Sequence, residues 1–159
     1  MTATLHFMCG KIASGKTTLA RTIAEETGGI LICEDVWLGR MYPNQHFTLQ
    51  DYVRRATRLR AALAPHVATL LRLGVPVVFD FAGNTPRDRL WVRSIFESAA
   101  ADHLLHVLNV SDDVCKARLR ARNAEAPEGS QYTTDEDFEA ISAYFVAPSP
   151  DEGFRTKVY

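Results

Sequence analysis

Lysine is scarce in this sequence. There are four, against fourteen arginines, and the 159-residue chain sums to a net charge of -1 with histidine neutral. Such a balance exerts no general pull on a phosphodiester backbone or an anionic bilayer, so a small molecule is the expected partner and a long nucleic acid the less expected one. No apolar run approaches the ~20 residues that a membrane-spanning helix requires. Cysteine is also sparse. Cys9, Cys33 and Cys115 are odd in number, far apart and without a CxxC pair. That excludes a disulfide framework and a thiolate zinc site, and fits buried thiols in a reducing, cytoplasmic setting. The five histidines show no metal-ligand spacing. Met1 to Thr4 lack a charged n-region, so no secretory leader is expected. Repeats and low-complexity stretches are absent. The sequence is 47% hydrophobic, enough for one well-packed domain.

The pattern alternates short apolar runs with helical spacing. Strands are expected at 4–9, 30–33, 75–79, 104–110 and 154–159. Helices are expected at 16–26, from 48 to about 71, from 85 to about 100, from 111 to about 122, and from 134 to about 145. Their starts carry local signals: Thr48 with Asp51 reads as a capping box, Thr85-Pro86 as a cap followed by proline, and Ser111 and Thr134 as caps. Pro65 lies within the second helix and predicts a kink or restart. Strands alternating with helices predict a parallel sheet covered on both faces. The polar segment 123–133 is the one long irregular stretch and the candidate lid.

Gly10-Lys11-Ile12-Ala13-Ser14-Gly15-Lys16-Thr17 fits G-x-x-x-x-G-K-[ST] at every fixed position. It follows a strand and opens a helix, the context in which such a loop cradles phosphate. Gly10 and Gly15 let the backbone curl, so that the amides of Ile12, Ala13, Ser14, Gly15 and Thr18 can face phosphate oxygens at the positive end of the helix. Lys16 is expected to reach the β- and γ-phosphates and the Thr17 hydroxyl to ligate Mg²⁺. Lys11 is expected to be solvated.

In open α/β sheets, ligands sit beyond the carboxyl ends of the strands. Two predicted strands end there in acid. Asp35, after the second, either orients an attacking hydroxyl and takes its proton or caps a helix beginning at Val36. Glu34 has the weaker claim. Asp80, after V-P-V-V-F, has the loose pattern of an acid that holds Mg²⁺ through water, or simply starts a turn. Whether Asp80 or Asp35 lies closer to the metal is open. Asn84 and Arg87 can reach an acceptor over the sheet; for Arg87 and Arg89 the alternative is a solvated helix turn. Arg118 and Arg122 share a helix face, suited to gripping the nucleotide and the transferring phosphate, whereas Arg120 points away. Arg54, Arg55, Arg58 and Arg60 read as a solvated face, with an anionic acceptor as the minor alternative. Trp37, Tyr42, Phe47 and Tyr52 line either an acceptor pocket or the core.

Taken together, G-K-I-A-S-G-K-T-T-L-A-R, I-C-E-D-V-W-L, V-V-F-D-F-A-G-N-T-P-R-D-R and V-C-K-A-R-L-R-A-R-N resemble the small bacterial P-loop kinases of the AAA-type ATP-binding protein family. Those look like relatives of polynucleotide 5′-kinase, chloramphenicol phosphotransferase and zeta toxin. The resemblance spans nearly the whole chain. It implies a three-layer α/β/α fold with a five-stranded parallel sheet in the adenylate-kinase-like order 2-3-1-4-5 and a short lid. It also implies a general base at Asp35, with the aromatic Trp37 two positions on. The acceptor-site D-x-N segment maps onto Asp80 and Asn84, with two extra residues between them, and the R-x-x-x-R of lid-bearing kinases onto Arg118 and Arg122. No second arginine-finger domain or sensor segment of ring-forming ATPases follows.

The expected function is transfer of the γ-phosphate of ATP to a hydroxyl, with Lys16, Asp35 and Arg122 as the catalytic groups. ATP is expected because no N-K-x-D guanine motif is present. The alternatives are a nucleotide-dependent switch without an acceptor and a toxin-like kinase of a nucleotide sugar or RNA end. Acceptor identity and oligomeric state stay open at this stage.

Overall fold

The computed structural model describes residues 2–46, 48–128 and 132–159. Its centre is a parallel sheet of β1 (Thr4–Cys9), β2 (Ile30–Cys33), β3 (Val77–Ala82), β4 (Asp102–Val107) and β5 (Thr156–Val158), in the order β2-β3-β1-β4-β5. Six helices connect them: α1 (Lys16–Thr27), α2 (Glu34–Met41), α3 (Leu49–Arg72), α4 (Pro86–Ser98), α5 (Asp112–Glu125) and α6 (Asp135–Ser142).

The two faces of the sheet are divided by the period-2 alternation of its strands. Leu5 and Phe7 of β1 and Val77, Phe79 and Phe81 of β3 join Leu59, Leu63, Val67, Leu71, Val92, Ile95 and Phe96 in the larger core, beneath α3 and α4. Met8 and Val78 face the other way and pack on Ala20 and Ile23 of α1. A third cluster joins Ala13 of the β1–α1 turn to Cys115 and Leu119 of α5 and Phe138 of α6. Both ends of the 123–133 segment are thereby tied to the turn.

Most expected elements form, with shifts that have local causes. Pro76 cannot donate to a sheet ladder, so β3 begins at Val77 rather than 75. It also runs on to Ala82: the β1 register jumps from Phe7↔Phe79 to Met8↔Ala82, and Asp80 lies inside the strand rather than beyond its end. Pro65 sits within one continuous helix, α3, without the expected restart. The caps Thr48, Thr85, Ser111 and Thr134 each accept a hydrogen bond from the backbone N–H three residues on. Residues 34–41 form α2, which starts two positions before the helix at Val36 that the sequence offered only as an alternative. Of the candidate lid, 123–125 completes α5, while 129–131 lie outside the described residues, as does Phe47.

Two of the supposedly solvated arginines are withdrawn from solvent, Arg60 partly and Arg89 completely. Arg60 lies inside the wall between α2, α3 and α4. Its Nε donates to Glu34 and its Nη1 to Asp88, both at 2.8 Å. Its guanidinium also lies over the rings of Phe81 and Trp91. Tyr52 donates its hydroxyl to the other oxygen of Glu34. Arg89 is 0% exposed and donates to Glu152 and to the carbonyls of Gly83 and Val146. Glu34→Ala should leave Arg60 half-paired in this wall and cost about 2–3 kcal/mol in urea unfolding. The exposed Arg58→Ala should change stability by less than ~0.5 kcal/mol.

His6 and His106 meet inside the sheet, Nδ1 to Nε2 at 3.0 Å, and His106 Nδ1 faces the Tyr159 hydroxyl at 2.9 Å. Burial lowers both pKa values, that of His106 to about 4. Below pH 6.5 the unfolded chain therefore binds protons that the folded chain refuses. Stability should fall as pH drops from 6.5 towards 4, and denaturant midpoints across that window should show a shallower slope for His106→Gln.

Candidate active site

The carboxyl ends of β1, β2 and β3 open on one edge of the sheet, and the candidate residues gather there. The bend after β1 is built by two left-handed residues, Ala13 at φ 60° and Gly15 at φ 98°. Ser14 N–H donates to the Lys11 carbonyl between them, at 3.1 Å. Gly10 needs its lack of a side chain: a Cβ there would stand 2.5 Å from Ser14 Oγ and 3.2 Å from Leu108 Cβ. Gly15 is the N-cap of α1, so no side chain caps this helix, and no acid lies in its first turn. The helices beginning at Leu49, Pro86, Asp112 and Asp135 all have a side-chain cap. The first N–H groups of α1 and its positive end are left for an anion from outside.

Lys16 is folded back over this bend. Its Nζ donates to the Gly10 carbonyl at 2.6 Å and the Lys11 carbonyl at 2.8 Å. Burial pushes its pKa down, partly countered by Asp80 and, more weakly, by Asp35. Beside it, Thr17 Oγ1 donates to Asp80 Oδ2 at 2.7 Å. Thr18, also on the first turn of α1, is exposed.

Asp35 lies in the first turn of α2, which Cys33 opens as N-cap, so the carboxylate is not the cap considered from sequence. Adjacent helical positions separate the paired acids: Glu34 turns into the wall towards Arg60 and Tyr52, while Asp35 stays at the cleft surface. The surrounding protein desolvates Asp35, and with the charges of Glu34 and Asp80 raises its pKa. Lys16 and Arg122 act on it in the opposite sense. Asp35, Asp80, Lys16 and Arg122 therefore share one electrostatic neighbourhood.

Arg118 Nη1 donates to the Ala13 carbonyl at 3.3 Å and lies against Gly15. Arg122 is exposed one turn further along α5, while Arg120 pairs with Asp135 on α6. Arg87 is exposed in the first turn of α4. Asn84 is engaged with the phosphate loop: its Oδ1 accepts from Gly10 N–H at 2.9 Å, and its Nδ2 donates to the Gly10 carbonyl at 2.8 Å. Lys11, expected to be solvated, pairs with Asp112. Trp37 is exposed on α2, and Tyr42 lies under Arg55.

One participant, Cys33, had not been singled out for the site, and Arg60 had been read only as part of a solvated or acceptor-facing helix surface. Cys33 Sγ donates to the Asp80 oxygen that Thr17 also serves, at 3.2 Å, and burial lifts its pKa to about 11. Its place just before two acids was the available signal. Arg60 falls at helical spacing from the buried Ala56 and Leu63, which set it on the edge of the apolar stripe.

The donors here suit a hard cation. Thr17 and Asp80 offer oxygen alone, and the described residues contain no cluster of three or more His, Cys, Asp or Glu able to enclose a metal. A small oxygen-preferring ion held mainly by water and ligand oxygens, as Mg²⁺ is, fits this sparse set.

Solved structures with this arrangement of elements are available for comparison. A protein provisionally described as a kinase, from Chloroflexus aurantiacus j-10-fl, superimposes with a TM-score of 0.74 at 21% identity, over 99% of this chain and 85% of that one. Chaetomium thermophilum Kti12 in complex with ADP-AlF3 gives 0.73 at 16%, over 98% and 89%. Mycobacterium tuberculosis APS kinase CysC, with AMPPNP and APS, gives 0.63 at 19%, over 99% and 88%. At these identities the likeness is one of fold, the P-loop kinase-like fold. No curated protein sequence matches. The AAA domain profile matches residues 5–148. With that span containing the glycine-lysine bend, the paired acids and the arginines of α5, the chain belongs to the AAA domain family.

Proposed function

We propose that this protein is an ATP-dependent kinase that transfers the γ-phosphate to a hydroxyl of a small-molecule acceptor. The observation that carries the proposal is the shared neighbourhood of Lys16, Asp35 and Arg122 at an uncapped helix start. A structure used only for nucleotide binding has no need of a desolvated carboxylate on the far side of the cleft. The nucleotides held by two of the fold neighbours, AMPPNP and ADP-AlF3, agree with a nucleotide at this loop.

The triphosphate would lie along the loop amides from Gly10 to Thr18, with Lys16 turning from its own carbonyls to the β- and γ-phosphate oxygens. Thr17 and, through water, Asp80 would hold Mg²⁺, which when bound neutralises phosphate charge. Asp35 accepts a hydrogen bond from the acceptor hydroxyl, fixes the line of attack, and takes its proton as the new P–O bond forms and the bond from the γ-phosphorus to the β–γ bridging oxygen breaks, releasing ADP. Arg122 faces the charge that spreads over the transferring group. Arg118, already against the loop, is positioned for the nucleotide. The exposed Arg87 and Trp37 are available to the acceptor at the cleft mouth.

Labelled ATP, offered with a panel of small hydroxyl compounds, tests the proposal. Label on an organic product supports it, whereas release as inorganic phosphate under every condition favours the switch. Asp35→Asn should lower transfer at least ~10³-fold and leave Mg·ATP affinity within about twofold. Full turnover in that variant removes Asp35 from the chemistry.

The pH profile gives a separate check. Asp35 must be ionised to act, and its pKa is raised by desolvation and by the charges of Glu34 and Asp80. Activity should therefore fall on the acid side with a midpoint above the ordinary Asp value of ~3.9. A kcat/KM profile flat down to that value contradicts the assignment.

A further inference from the structure

Asn84 was expected to face the acceptor, yet both ends of its amide are engaged elsewhere. The two hydrogen bonds between its side chain and Gly10 run in opposite senses, N–H to Oδ1 and Nδ2 to carbonyl. Only a carboxamide satisfies both, because a carboxylate cannot donate and an alcohol of this reach cannot span the peptide. The turn that delivers the side chain is itself held. Gly83 N–H donates to the Met8 carbonyl and Val146 N–H to the Asn84 carbonyl, each at 2.8 Å. The buried Arg89 joins the Gly83 and Val146 carbonyls, both at 2.9 Å.

The Gly10 carbonyl is the notable partner. It accepts from Asn84 Nδ2 and also from Lys16 Nζ. Lys16 holds one other carbonyl, that of Lys11, which also accepts from Ser14 N–H. Each carbonyl that Lys16 must abandon on reaching for a phosphate thus has a second donor already in place. Gly10 is buried, so without Asn84 its carbonyl would lose its side-chain donors as the lysine left. A buried, unpartnered carbonyl is costly, and the cost would fall on the nucleotide-bound state alone.

We propose that Asn84 is a positioning residue for Lys16. It keeps the Gly10 carbonyl hydrogen-bonded when the lysine turns to the nucleotide phosphates, and so makes the lysine available at little cost. The role deepens the kinase reading above and rests on its nucleotide site, but not on any acceptor. It assigns Asn84 to the nucleotide half of the cleft.

Binding of Mg·AMPPNP, read by calorimetry or by displacement of a fluorescent ATP analogue, separates the possibilities in a double-mutant cycle. The four proteins are the wild type, Asn84→Ala, Lys16→Ala and the double variant, each checked for fold by circular dichroism. Asn84→Ala should weaken binding about tenfold with Lys16 present and by less than about twofold with Lys16 absent. An unchanged affinity in a folded Asn84→Ala protein overturns the proposal. Equal losses in both backgrounds overturn it too, since they make Asn84 a brace for the loop. Should the alanine variant not fold, Asn84→Ser takes its place under the same criteria. Failure of both to fold would likewise make the clasp purely structural and overturn the proposal. Absence of binding by the wild type overturns the kinase reading together with this one. Normal wild-type binding with an indifferent Asn84 removes this one alone.

Discussion

A helix that starts without a cap is the constraint around which this molecule is organised. The first turn of α1 leaves its N–H groups without intrahelical partners, and Gly15 supplies no side chain to satisfy them. Four other helices close the same gap with a threonine or serine. Leaving the gap open at α1 is costly unless an anion arrives, and the neighbouring Lys16, without one, turns to the carbonyls of its own loop. The bend is thus poised between two sets of partners. The left-handed Ala13, the side-chain-free Gly10 against Leu108, and the packing of Ala13 on Cys115, Leu119 and Phe138 keep it shaped for the exchange.

What could be seen in the sequence was what depends on near neighbours. The eight-residue motif, the caps at Thr48, Thr85, Ser111 and Thr134 and the apolar stripe of α3 are all local patterns. The sheet order followed from the resemblance, and the structure has it. Long-range pairing was hidden. Nothing within four residues of Arg60 shows that Glu34 and Asp88 will meet it, 26 and 28 positions away. Arg89 looked like a solvated residue because its partner Glu152 comes 63 positions later. α2 was offered only as an alternative, from Val36, because its eight residues carry a weak apolar pattern, with only Glu34 and Leu38 buried. For the candidate site, the residue types were legible but their division of labour was not. Whether Asn84 faced an acceptor or the loop depended on its pairing with Gly10, 74 positions away, which no local signal announces.

The separation of Glu34 from Asp35 shows how such a wall serves a cleft. Side chains at consecutive helical positions diverge by about 100°. Glu34 is locked by Tyr52 and Arg60, which fixes the rotation of α2 about its axis and with it the direction of Asp35. A buried ion pair contributes little net stability compared with an apolar substitute, because desolvation offsets the Coulomb attraction. Its value here is geometric. A well-packed Leu at 34 could stabilise the wall equally, yet it would not tie α2 to α3 and α4 at a single point. It would also remove the negative charge that helps keep the Asp35 pKa raised.

The same carboxamide device recurs at the end of α5. Asn123, in the last turn of α5, donates through Nδ2 to the Thr133 carbonyl at 2.7 Å and accepts from Thr133 N–H at 3.3 Å, as Asn84 does with Gly10. One clasp holds the start of the phosphate loop and the other joins the two sides of the candidate lid. Between them runs α5, whose Arg118 touches the Ala13 carbonyl and whose Arg122 acts on Asp35. A shift of α5 would therefore move the base of the lid and both arginines together. Salt bridges from Lys116 and Arg120 to α6 make the two helices travel as a pair. These bridges are largely exposed and individually weak. The buried Phe138 gives the pair its rigidity, whereas the bridges select its register.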